Sequence, residues 1–310
     1  MNKKKTGVFY TALICMGLIA LLLVTFLMVV FGDNNTKPQK EISVVLYSAG
    51  NGGWEAFEQG IKQAENDFSV NINFVILRGD ADETEQFATI EKEVAKGAEG
   101  VVVAVSNYTE LYRLWLGKNF DVPIVTVESG FDEITIPLIS ADNYEMGKRL
   151  GEEILKDFSD KDDLVVAIDT DIANRDSLVK REQGLRDALE GKAKVITLRA
   201  AANGEGADAA VALDKESLLH LSERANVALT NTKKYGIGNT ASIVAALEQE
   251  KIEKIVFQNE FNMGYLAVKT LLEKLDGINS KDEGKIEFYC VGSEELYDTP
   301  YEHLLFPIVE

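Results

Sequence analysis

The chain has 310 residues, with 51 acidic against 32 basic side chains and a net charge of −19. A surface of that sign repels phosphate backbones and anionic lipid, which argues against nucleic acid as a partner. The two cysteines, Cys15 and Cys290, both lie on apolar stretches and supply no disulfide framework.

Nothing charged occurs from Thr6 to Gly32, and Lys3, Lys4 and Lys5 precede the run. As a helix the run reaches roughly 39 Å, enough to cross a hydrocarbon core of about 30 Å. A cleavable signal has a shorter apolar core that ends in small residues. Here the apolar residues continue from Leu21 to Phe31, and Cys15 follows Leu13 and Ile14, not the small residue of a lipidation site. Residues 1–32 read as an uncleaved, single-pass transmembrane anchor with the N-terminus in the cytoplasm and the remainder outside. A long cleaved signal is the alternative. Residues 33–41 form a polar spacer.

Beyond the spacer, apolar runs of strand length alternate with helical patterns. "ISVVLYSA" is a strand and "WEAFEQGIKQAENDF" a helix, with Trp54, Phe57, Ile61 and Ala64 on one face. "INFVILR", "GVVVAVSN", "PIVTVESG" and "IPLISADN" are strands, separated first by the helices "ETEQFATIEKEVAKG" and "TELYRLWLGKNF". The helix "YEMGKRLGEEILKDF" ends the first half. The pattern then restarts: strands "LVVAID", "KVITLRA", "AAVALD", "YGIG", "EKIVFQ" and "KIEFYCVG" alternate with helices from "SLVKREQGLRDALEG" to "NMGYLAVKTLLEKLDG". Strands this uniformly apolar are buried on both faces of parallel sheets covered by helices. The gap between "KVITLRA" and "AAVALD" is too short for the usual helical crossover, so either a helix is missing or one strand is misread.

In open parallel sheets ligands bind at the carboxyl ends of the strands. The polar and aromatic residues there are Asn51, Trp54, Ser106, Asn107, Glu128 and Ser129 in the first half. The second half adds Arg181, Asp214, Asn239 and Gln258. Carboxylates, amides and an arginine beside an aromatic ring suit a polyol: charged groups bind hydroxyls strongly, and a flat ring packs on a C–H face. Each is equally a type of residue found at helix starts, and Asp214 before "KESLL" and Asn239 before "TASIV" also fit as N-caps.

The two α/β halves, "SADN" at 140–143, "REQGL" at 181–185 and "VFQNEFNMGYLAV" at 256–268 resemble the type I periplasmic sugar-binding proteins, the ribose-binding group above all. The resemblance covers about residues 42–305. It implies an α/β chain of two doubly wound parallel-sheet lobes joined by a hinge. Lobe one would be 42–141 plus 259–290, and lobe two 142–258 plus 291–310. It also implies that Arg181 and Gln258 touch the sugar, that Asp214 stands where the family has an amide ligand, and that Trp54 stands among its aromatic ligands. Glu128-Ser129 replaces the family's Asp-Arg, and Gly236-Ile237-Gly238 lacks its late Asp, leaving Asn239 as the nearest polar group. These departures point away from a ribose-like pentose. Arg181, expected to face a wet cleft, is the residue expected to contribute most to binding.

Other signals are weaker. Gly50, Gly52 and Gly53 in "AGNGGWE" do not complete a dinucleotide fingerprint. Asp169, Asp171 and Asn174 lack the oxygen spacing of a Ca²⁺ loop. His220 and His303 have no partner at metal-ligand spacing. No cofactor, metal or enzymatic activity is therefore expected. The resemblance implies a receptor for a sugar or related small polar ligand that serves an ABC permease. A ligand-sensing subunit of a membrane histidine kinase is the alternative.

Overall fold

The computed structural model describes residues 16–25, 39–49, 53–79, 82–118, 120–131, 136–169, 175–223, 229–278 and 285–306. Met1–Gln39 and Lys40–Glu310 are separate units. In the first unit residues 16–25 are helical, and apolar side chains from Met16 to Val24 are exposed. Among the described residues no helix is long and apolar enough to cross a membrane. Most of the expected anchor, including Cys15, lies outside the described residues, as does most of the spacer.

The second unit begins β1 (Glu41–Leu46), α1 (Glu55–Phe68), β2 (Asn71–Ile76), α2 (Glu83–Ala95), β3 (Gly100–Val103), α3 (Tyr108–Leu116), β4 (Ile124–Val127) and β5 (Leu138–Ala141). It continues α4 (Asn143–Asp157), β6 (Val165–Ile168), α5 (Asp176–Leu189), β7 (Lys194–Thr197), β8 (Ala209–Ala212), α6 (Lys215–Glu223), β9 (Lys233–Ile237) and α7 (Ala241–Glu248). Last come β10 (Lys254–Gln258), α8 (Glu260–Leu275), β11 (Lys285–Ile286), β12 (Phe288–Gly292) and α9 (Tyr301–Leu305). Two six-stranded sheets result, ordered β11-β5-β4-β3-β1-β2 and β12-β10-β9-β8-β6-β7. The central strands β3, β4 and β8 are buried at every residue, as strands covered by helices on both faces must be.

Helix starts follow the local chemistry. The side chains of Asp82, Asp142, Thr240 and Asn259 each accept from the backbone N–H three residues on, satisfying a donor that the helix leaves unpaired. Two helix pairs cross in backbone contact, α1 with α8 and α4 with α5. A Cβ on Gly60 would lie 1.9 Å from the Phe261 carbonyl oxygen, and one on Gly147 would lie 1.9 Å from that of Arg181. The second crossing therefore fixes where the backbone of Arg181 stands.

Three expectations need correction. "KVITLRA" is not all strand: β7 ends at Thr197, whose side chain caps a helical turn at Leu198–Ala200 that runs on through Ala201–Glu205. Because β7 and β8 flank β6, this short helical piece has only one strand to cross. "KIEFYCVG" is two strands. Lys285–Ile286 pairs with β5, whereas Phe288–Gly292 pairs with β10, so Phe288–Cys290 do not belong with the first sheet as the 259–290 assignment had it. Glu287, between the two strands, is the one local mark of this crossing, and a single charged residue does not by itself divide a strand. The β10–β12 pairing is also antiparallel, so the second sheet is not wholly parallel.

Candidate ligand-binding cleft

The carboxyl ends of strands from both sheets face one another. Tyr47 follows β1, Glu128 follows β4, Asp214 and Lys215 follow β8, Asn239 follows β9, and Gln258 ends β10. With Trp54, Arg175, Arg181 and Glu260 they line a cleft of about 40 Å³. That is room for about three or four waters at roughly 10–15 Å³ each. A larger guest requires these side chains to move apart.

Glu128 sits at the centre. Its φ is 61°, in the left-handed region that a β-carbon disfavours. This turn delivers the carboxylate to Arg181, whose Nη2 donates to Oε1 at 3.1 Å, and to the Tyr47 hydroxyl, which donates to Oε2. The backbone carbonyl of Glu128 accepts from Asn143 Nδ2 and Ser140 Oγ, which hold the turn. Burial pushes the Glu128 carboxyl up, but the Arg181 and Arg175 guanidinium groups and the Tyr47 hydroxyl outweigh it and hold the pKa down at about 2. Burial in turn raises the Tyr47 hydroxyl well above its usual range.

Arg181 is 3% exposed, which corrects the expectation of a wet position. Besides Glu128 it donates from Nε to Asn143 Oδ1 at 2.8 Å and from Nη1 to the Leu213 carbonyl at 3.0 Å. Arg175 lies with its guanidinium 4.4 Å from the centre of the Tyr47 ring and pairs with Asp214 at 3.1 Å. Asp214 also caps α6 by accepting from Ser217 N at 2.8 Å, so the cap and the cleft readings of this residue are both true. Lys215 pairs with Glu260 at 2.5 Å, donates to the Gly53 carbonyl and stands 5.6 Å from the centre of the Trp54 ring. Trp54 donates from Nε1 to the Tyr47 carbonyl at 2.8 Å. Gln258 accepts from Ala141 N at 3.3 Å.

Of the residues singled out in the sequence, the cleft brings together Trp54, Glu128, Arg181, Asp214, Asn239 and Gln258. Ser106, Asn107 and Ser129 are not in its lining. Ser106 donates to Gln86 Oε1, Asn107 caps α3, and Ser129 is fully buried, donating to Ser177 Oγ and accepting from Ser177 N. Asn51, Asp171 and Asn174 lie outside the described residues. Tyr47, Arg175, Lys215 and Glu260 were missed. Among the described residues no group of three His, Cys, Asp or Glu side chains could hold a metal ion.

Two α/β sheets whose strand ends converge on one polar cleft make a two-part binding protein. Residues 42–220 match the family model of the periplasmic binding protein domain, and the chain belongs to that family. The fold is similar to that of a carbohydrate transporter solute-binding protein from Agrobacterium radiobacter in complex with D-arabinose. The TM-score is 0.77 at 18% identity, over 87% of this chain and 100% of that one. It is also similar to GanP, a glucose-galactose binding protein from Geobacillus stearothermophilus, with TM-score 0.72 at 18% identity over 85% and 100% of the two chains. A third likeness is to a chain of the XylFII–LytSN complex, with TM-score 0.70 at 14% identity over 83% and 98%. No curated protein sequence matches the chain.

Proposed function

We propose that this chain is an extracytoplasmic binding protein for a sugar or a related small polar ligand, tethered by residues 1–32 and delivering its ligand to an ABC importer. One observation carries the reading: carboxylates, guanidinium groups, amides and a tryptophan from both sheets converge on a single cleft. A ligand that touches both sides favours the closed arrangement by that difference in contacts. The two lobes of the proposal are the two sheets with their helices, and the chain passes between them after β5, after β10 and at Glu287. The carbohydrate named for the Agrobacterium protein and the sugars named for GanP support the ligand class.

A second reading has the same closure act on a membrane histidine kinase. It is favoured by the likeness to a chain found in the XylFII–LytSN complex, where a protein of this fold is held by a partner. Co-purification of the full chain in mild detergent separates the two, since a permease and a kinase are easily told apart.

The ligand test is a thermal-shift screen of the full chain against sugars, polyols and nucleosides. A ligand at 100 times its dissociation constant is expected to add about 2.7 kcal/mol to the native state. A screen in which no sugar stabilises the chain removes the sugar reading. The tether is tested by mass spectrometry of protein from its native membrane. Peptides from before Gly32 are expected, and a chain starting near Asp33 would refute the anchor.

A further inference from the structure

The three cations of the cleft are not equivalent. Arg181 spends its donors inside the protein, on Asn143, Leu213 and Glu128. Lys215 spends its own on Glu260 and the Gly53 carbonyl. Arg175 is different. Its Nη2 serves Asp214 and its face rests on the Tyr47 ring, but its Nε–H has no acceptor. The residue is 8% exposed, so water does not freely serve that donor. Among the described residues this is the buried side-chain polar atom left without a partner, and Arg175 lines the cleft. A buried donor is normally paired, and one left open beside a cleft points to an acceptor that arrives from outside.

The charges around it narrow what that acceptor belongs to. Arg181 is matched by Glu128, Arg175 by Asp214 and Lys215 by Glu260, each pair within 3.1 Å. A ligand bringing a further ion into this balanced, buried set would lose its hydration without gaining a free counterion. Hydroxyl and ring oxygens can accept from a guanidinium edge and donate to the carboxylates without that loss.

We infer that Arg175 contacts the ligand directly, its Nε–H donating to an oxygen of an uncharged, hydroxyl-rich molecule, while Arg181 serves as the internal frame of the site. The inference rests on the sugar-binding reading above. Arg175 also joins the two sides of the cleft, since it precedes α5 of the second sheet and stacks on Tyr47 at the end of β1 in the first.

The experiment is calorimetry of the full chain in mild detergent with D-glucose, D-galactose, D-arabinose and D-allose, and with the charged D-glucuronate and D-glucosamine. The sugar that binds best is then titrated into Arg175→Lys, which keeps the cation beside Asp214 and removes the Nε–H. The expected result is a neutral sugar as best ligand, bound at least tenfold more weakly by the variant, with the ligand-free melting temperature nearly unchanged. Should the variant fail to fold, the arginine Nε–H resonances of the wild-type chain decide: that of Arg175 is expected to shift and gain exchange protection when the sugar is added. Equal affinity in a folded variant, an unmoved resonance, or a charged sugar as best ligand overturns the role of Arg175 and leaves the sugar-binding reading standing. Failure of every sugar to bind overturns both.

Discussion

Replacing Arg181 with methionine is expected to lower folding stability by about 3–5 kcal/mol, the range seen when one partner of a buried ion pair is removed. Three acceptors lose their donor at once: Glu128 Oε1, Asn143 Oδ1 and the Leu213 carbonyl. The carboxylate left behind is buried on a backbone already in the left-handed region. The pH dependence follows from the Glu128 pKa, which is lowered from 4.5 to about 2 in the folded chain. A group with a depressed folded pKa adds stability above its unfolded pKa and loses it as pH falls through the folded value. The wild-type chain therefore carries this contribution at neutral pH and loses it between about 4.5 and about 2. Arg181→Met removes the main force holding that pKa down, so its deficit is largest at neutral pH and shrinks in acid. Urea titrations of the wild type, Arg181→Met, Glu128→Gln and the double variant across pH measure this. A double variant no better than the sum of the single losses would show that the pair is not coupled.

The alternation that built the sheets was legible because burial leaves a direct mark on residue type: "GVVV" and "IVTV" are buried at every position, and Phe57, Ile61 and Ala64 face inward at helical spacing. Asp214 was legible twice over, as a cap and as a cleft residue, because a carboxylate at a helix start has two oxygens and uses one for each task. The pairings that give the site its character were not legible. Arg175 reads as a loop residue until the fold sets its guanidinium between Tyr47 and Asp214. Lys215 reads as an ordinary first-turn residue of a helix and Glu260 as part of the connection before the helix that starts at Asn262, and nothing local says that the two meet. Ser129 looked like a neighbour of the ligand because it follows Glu128. The tight turn at Glu128 sends consecutive side chains different ways, and Ser129 meets Ser177 instead. Strand ends locate a cleft, but which of two adjacent residues enters it depends on a backbone angle that composition does not report.

Lys215→Met is expected to cost about 3–5 kcal/mol at neutral pH, again as the removal of one partner from a buried pair. Its partners, Glu260 and the Gly53 carbonyl, come from the side of the first sheet, whereas Lys215 follows β8 of the second, so the same ammonium also holds the cleft shut. The sign of the pH effect is the reverse of that at Glu128 in the wild type. Burial raises the Glu260 carboxyl above its usual 4.5, and Lys215 is the chief group opposing that rise. Without Lys215 the folded pKa climbs further. A group with a raised folded pKa contributes its full stability below the unfolded value and loses it as pH rises through the folded one. The deficit of Lys215→Met is therefore expected to be greatest at neutral pH, to shrink as pH falls through the raised folded pKa of Glu260, and to be smallest below the ordinary value of 4.5. Adding Glu260→Gln to the same chain is expected to restore much of the neutral-pH loss, because a buried amide needs hydrogen bonds but no counterion. Equal instability of Lys215→Met and the double variant at neutral pH, by chemical denaturation, would show that lost packing against Trp54, not the stranded carboxylate, accounts for the effect.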